Sequence, residues 1–166
     1  MTPTLSPADD ADSQAITTAE MVVLEFAAPS RNDAVAALAA TLVETSRVLD
    51  LDGFLSDVRS YEHQLATALP GGVGVAHARS SHVVLPSIAV GVLAFGNSLD
   101  FGARDGDAHV VLLLATPATS YSEHLTMLAA LARSLAKDSF RESLRRSHDP
   151  EVIAELVNST VDFSAV

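Results

Sequence analysis

Six histidines stand in this sequence, at positions 63, 77, 82, 109, 124 and 148, and a neutral imidazole near pH 7 is both a nucleophile and a proton carrier. Two of them differ from the rest in context. His77 closes a short apolar run entered through glycines, in GGVGVAHARSSH (residues 71–82), a setting that would hold its ring at a sheet edge facing a cleft. His124 falls in the first turn of a segment patterned as an amphipathic helix, where free backbone N–H groups and the positive end of the dipole suit an anion. One imidazole can attack phosphorus while a second hydrogen-bonds the phosphoryl oxygens, which makes the pair of more interest than either ring alone. Taken singly, each histidine is more readily a structural residue, and sequence spacing does not bring the two together.

The other chemistry-bearing residues carry less. His63 lies in the polar part of a predicted helix, His82 and His109 flank strands, and His148 precedes a helix start; all four read as surface or strand-edge groups. No HExxH or other paired ligand spacing is present, and the absence of cysteine excludes disulfides, thiolate zinc sites and a thiolate nucleophile. There is no GxSxG elbow, no Walker phosphate loop and no GxGxxG after a strand. Asp100, Asp105 and Asp107 share one loop, where ordinary turn chemistry accounts for them. Arg79, two residues past His77, could hold a phosphate by charge-assisted hydrogen bonds or be a surface arginine in a turn.

The elements that must position these residues follow from periodicity. MVVLEF (21–26) reads as a strand, and Ser30 opens a capping-box-like helix start with Val35, Leu38, Ala39, Leu42 and Val43 on one stripe. A second amphipathic segment from about Asp52 carries Phe54, Leu55, Val58 and Leu65, until Pro70-Gly71-Gly72 breaks the chain. Val73 and Val75 then alternate with small residues, SIAVGVLAF (87–95) sets Ile88, Val90 and Val92 on one side, and HVVLLLAT (109–116) is the continuous apolar run of a strand covered on both faces. GNSLDFGARDGDA between the last two is a loop. In SYSEHLTMLAALARSLAK (120–137) the expected inward stripe is Leu125, Leu128, Ala129, Ala132 and Leu135. A helix with Phe140 and Leu144 inward follows, and Asp149-Pro150 starts a last one whose Val152, Ile153, Leu156 and Val157 close the core. Strands interleaved with helices give an α/β domain, a sheet flanked by helices, in a single domain.

Composition agrees: 166 residues, 48% hydrophobic and 19% charged, suit one packed domain. The first 19 residues, rich in Asp, Ser, Thr and Pro, are expected to form a disordered tail, with the domain spanning 20–160. The start lacks the basic and apolar regions of a secretory signal, and no apolar run has the roughly 20 residues of a membrane helix, so the cytoplasm is the expected compartment. A net charge of −11 opposes nucleic-acid binding.

Several motifs in order carry a family resemblance. GGVGVAHAR, LDFGARDGD, the buried strand HVVLLLAT, EHLTMLAALAR and the closing DSFRESLRRSHDPEVIAELV together resemble the enzyme IIA domain of the fructose/mannitol class of the bacterial sugar phosphotransferase system. The resemblance implies a mixed β-sheet with helices on both sides, His77 as the phosphorylated histidine and His124 as its supporting partner. It also implies a phosphoryl group received from the phosphocarrier HPr and passed to a IIB domain. A IIC membrane domain would be met only indirectly, and no metal or organic cofactor is needed. Fructose is the first expected sugar and mannitol the next. Two positions depart from the pattern: Ala76 stands where a proline usually precedes the active histidine, and Tyr61 stands sixteen residues before His77, where an arginine is frequent. An arginine restored at 61 would be expected to speed transfer. The same departures favour a second reading, a regulatory or binding module of this fold with weak or no phosphotransfer.

Overall fold

The computed structural model describes residues 15–62, 68–69, 71–103 and 105–161. The expectations for His63 and Leu65 fall outside these residues.

The strands are β1 (Val22–Phe26), β2 (Ala68–Leu69), β3 (Val73–Ser80), β4 (Ser87–Leu93) and β5 (Val110–Pro117). They form one mixed sheet in the order β1-β4-β5-β3-β2. Central β5 runs parallel to β3 and antiparallel to β4, while β1 is parallel to β4 and β2 antiparallel to β3. From Val110 to Thr116 every residue of β5 is buried, which is why that run is apolar throughout.

Among the described residues five α-helices cover the sheet: α1 (Arg31–Glu44), α2 (Leu51–Glu62), α3 (Tyr121–Leu135), α4 (Asp138–Arg146) and α5 (Pro150–Thr160). Helix α1 starts where the Ser30 hydroxyl accepts the Asp33 N–H and donates to the Asp33 carboxylate. The Asp149 carboxylate caps α5, with Pro150 in the first helical position. Because side chains alternate along a strand, the sheet has two apolar faces. Ala76, Ala78, Ala89, Leu113 and Ala115 face Leu38 and Leu42 of α1 and Phe54 and Val58 of α2. Val73, Val75, Ile88, Val90, Leu112 and Leu114 face Met127, Leu131, Leu144, Ile153 and Val157 of α3–α5. Helices therefore lie on both sides of the sheet, as expected.

The segment between β4 and β5 is a loop that folds back on itself through a bridge between Leu99 and Ala108. It buries Leu99 and Phe101. Phe101 needs Gly74 beneath it, because a Cβ there would come within 2.5 Å of the ring. The loop aspartates do turn work: Asp100 accepts the Gly102 N–H, Asp107 the Ser98 hydroxyl and Asp105 the Gly71 N–H.

Four details differ from the sequence reading. Residues 15–19 are not part of a disordered tail. Ile16 and Thr17 are buried, Thr17 exchanges backbone bonds with the Asn158 side chain, and its hydroxyl donates to the Ile88 carbonyl. His77 does not end its strand, because β3 continues to Ser80, held by its register with β5 as far as Pro117. Arg79 therefore lies in a strand and not in a turn. The inward stripe of α3 is His124, Met127, Ala130, Leu131 and Leu135, whereas Leu125 is 47% exposed and Ala129 and Ala132 face solvent. Val152 of α5 is also exposed.

Candidate functional site

Val73 and Val75 face the α3–α5 side of the sheet, so two-residue alternation puts His77 and Arg79 on that same side. The β3–β5 register then sets Arg79 beside Thr116 and His77 beside Leu114. Helix α3 follows β5 after a three-residue connection, and its inward stripe brings His124 down onto the end of the sheet. The His77 Nδ1 and His124 Nε2 atoms lie 3.1 Å apart, and His124 Nδ1 lies 2.8 Å from the Thr116 hydroxyl. All three side chains are buried, with His77 only 4% exposed.

Two proton arrangements satisfy both bonds. In one, His124 Nδ1–H donates to Thr116 and His77 Nδ1–H donates to His124 Nε2, which leaves a lone pair on His77 Nε2. In the other, Thr116 donates, every proton shifts along the chain, and His77 Nε2 is protonated. Only the first makes His77 a nucleophile, at Nε2. Burial holds the His77 imidazole below its ordinary pKa. His124 is pushed down to about 4, first by burial and then by the neighbouring His77 and the Arg79 charge. Both rings are therefore neutral at pH 7.

Beside the pair, the Arg79 guanidinium donates from Nε to the Tyr61 hydroxyl at 3.0 Å and from Nη1 to the Ala118 carbonyl at 3.1 Å. It also lies 4.7 Å over the Tyr121 ring. Tyr61 sits edge-on to His77, with ring centroids 5.7 Å apart, and 5.9 Å from the His124 ring. Ser120, at the α3 N-cap, makes no side-chain capping bond. The end of α3 therefore presents its dipole at the site without a side-chain oxygen across it.

The other described histidines are elsewhere. His82 faces Asp50 at 3.9 Å in the loop after β3. His109 and His148 line a groove of about 430 Å³ with Arg145 and Arg146, at the opposite end of the sheet. Among the described residues no group of three or more histidine or acidic side chains is placed to hold a metal ion. No helix among them is long and apolar enough to cross a membrane.

One family model covers almost all of the described chain. Residues 15–160 fit the model of the phosphoenolpyruvate-dependent sugar phosphotransferase system, EIIA 2. The chain belongs to that family. It is 29% identical to the fructose-specific EIIA component of Haloferax volcanii over 155 residues, 93% of this chain and 99% of that one. It is also 29% identical to the fructose-specific EIIABC component of Bacillus subtilis over 123 residues, 69% of this chain and only 19% of that protein. Among solved structures, the nitrogen regulatory protein IIA-Ntr of Neisseria meningitidis shares the fold with a TM-score of 0.76 at 24% identity, over 86% of this chain and 96% of that one. The mannitol IIA of Escherichia coli in complex with phosphorylated IIB does so with a TM-score of 0.70 at 18% identity, over 86% and 96%.

Within this EIIA chain, two contributors were not read as such from sequence. Thr116 is a buried hydroxyl inside an apolar strand, and its signal was its being the one polar side chain in VVLLLAT. Tyr61 was read only as a departure from the family pattern, whereas its hydroxyl is the acceptor for Arg79.

Proposed function

We propose that this chain is a phosphoryl carrier that takes a phosphoryl group on His77 Nε2. The observation that carries the reading is the His77–His124–Thr116 chain of hydrogen bonds, which fixes one ring nitrogen inward and leaves the other for chemistry. The donor is phosphorylated HPr. The Nε2 lone pair attacks phosphorus in line as the P–N bond to the donor histidine breaks, and the departing nitrogen keeps the bonding pair. Positive charge develops on the His77 ring, and the Nδ1–H bond to His124 takes up part of it. Because His124 is so weak a base, the proton stays on His77, which keeps the phosphoryl group easy to pass on to a IIB domain. Arg79 supplies the cation for the phosphoryl oxygens. The transfer needs no metal or organic cofactor, since positioning and charge carry it.

Fructose is the sugar we assign, supported by the fructose-specific relatives, with mannitol the next. The location is the cytoplasmic face, with IIB as the link to a IIC membrane domain. The regulatory alternative drew on Ala76 and Tyr61, yet the histidine pair is assembled with both residues in place.

The test is intact-protein mass after incubation with phosphoenolpyruvate, enzyme I and HPr, beside His77→Ala. One acid-labile phosphoryl group on the native chain, absent from the variant, is the expected result. An unmodified native chain, with HPr shown active on a control, would hand the case to the regulatory module.

A further inference from the structure

Arginine on a strand end ordinarily has substantial rotamer entropy to lose when it grips a ligand. Arg79 has already lost much of it. Its guanidinium is held from three separate elements: Tyr61 at the end of α2, Ala118 in the β5–α3 connection and Tyr121 in the first turn of α3. Of these, Ala118 and Tyr121 belong to the segment that also carries His124, whereas Tyr61 comes from the opposite layer of the fold. Tyr61 is itself fixed, because its ring touches both imidazoles and its body packs on the α1–α2 core. Nη2 donates to no acceptor among the described residues, so one N–H edge of the fork stays available while the other two nitrogens anchor it.

We propose that Tyr61 is a positioning residue: its hydroxyl, reached from α2, fixes the Arg79 guanidinium beside the His77–His124 pair with one N–H edge free for the phosphoryl oxygens. The inference rests on the reading of His77 as the phosphoryl acceptor and names the group that readies its cation. The bond from Arg79 Nε is the only hydrogen bond the Tyr61 hydroxyl makes among the described residues, so removing that one oxygen is a clean perturbation. The ring, which packs on the histidines, is left in place by phenylalanine.

The experiment is a double-mutant cycle on the rate of phosphoryl acceptance from HPr, with Tyr61→Phe, Arg79→Ala and the pair. It is accompanied by the side-chain Nε–H resonance of Arg79 in ¹⁵N spectra. Tyr61→Phe is expected to slow acceptance roughly tenfold, the worth of one hydrogen bond to a charged donor. In the Arg79→Ala background it should cost nothing further. The Arg79 Nε–H signal should be dispersed and slow to exchange in the native chain and should collapse towards that of a free arginine in Tyr61→Phe. Equal slowing in both backgrounds, or an unmoved Nε–H signal, would overturn the role of Tyr61 while leaving the carrier reading intact. A native chain that accepts no phosphoryl group at all sinks the carrier reading, and the inference with it.

Discussion

Thr116 and His124 are eight residues apart in the chain and share a 2.8 Å hydrogen bond across the turn from β5 into α3. Strand, turn and helix thus orient the imidazole through a contact that is local in the chain. Thr116→Val keeps the shape and removes the oxygen, leaving His124 Nδ1 buried without a partner. Phosphoryl acceptance should fall about tenfold, matching the roughly 1.4 kcal/mol of a lost orienting bond. Stopped-flow or quench-flow transfer from HPr measures it, and an unchanged rate would free His124 from any need of the hydroxyl.

Acid should destabilise the fold through the histidine pair. Both imidazoles have folded-state pKa values below their ordinary 6.5, His124 at about 4. Between pH 6.5 and about 4 the unfolded chain therefore binds protons that the folded chain refuses, and stability drops as pH falls through that window. Each such proton contributes a slope of about 1.4 kcal/mol per pH unit. Denaturant unfolding at pH 7 and pH 5 should show a smaller acid loss in His124→Gln than in the native chain. Equal losses would mean that His124 titrates normally in the folded chain.

Substituting arginine at Tyr61 tests geometry against charge counting. From sequence alone, an arginine there would be expected to speed transfer. The structure reverses that expectation, because the substitution deletes the acceptor that holds Arg79 and adds a second cation beside it. Acceptance in Tyr61→Arg should fall by roughly tenfold. A faster variant would show that charge alone limits the reaction.

The amino-terminal clasp should also be measurable. Asn158→Ala removes both bonds that tie Thr17 to α5, one accepted and one donated. The expected cost is about 1–3 kcal/mol in denaturant unfolding, with faster amide exchange at Thr17 and no change in the electronic make-up of the histidine pair. Native-like exchange at Thr17 would show that Ile16 burial alone secures the segment.

Much of this molecule can be read from its residues, and what cannot has specific causes. Ordered motifs singled out His77 and His124, and the continuous apolar run marked β5. The phase of α3 was hidden because Leu125, Leu128, Ala129 and Ala132 make as good a stripe as the one that packs. The choice between them is made by the sheet, which accepts His124 and Met127 and leaves Leu125 outside. The start of the domain is not legible because its anchors are Thr17 main-chain bonds to the Asn158 side chain, the Thr17 hydroxyl on the Ile88 carbonyl and the Ile88 N–H on the Ile16 carbonyl, and such bonds leave no mark on composition. The Tyr61–Arg79 contact spans eighteen positions and two elements, so residue types alone suggest a gap where the fold supplies a partner.

The register of β3 against β5 has a further consequence. His77 stands opposite Leu114 only in the one alignment that pairs Val73 with Val110. A slip of a single residue would turn His77 towards α1 and α2 and offer His124 an alanine, Ala76 or Ala78, in its place. The proposed acceptor, His77, is thus a gauge of correct strand alignment. A chain whose sheet closes one step out of line would hold no weakened site but none at all, so on the proposed carrier reading phosphoryl uptake would count properly folded molecules one by one.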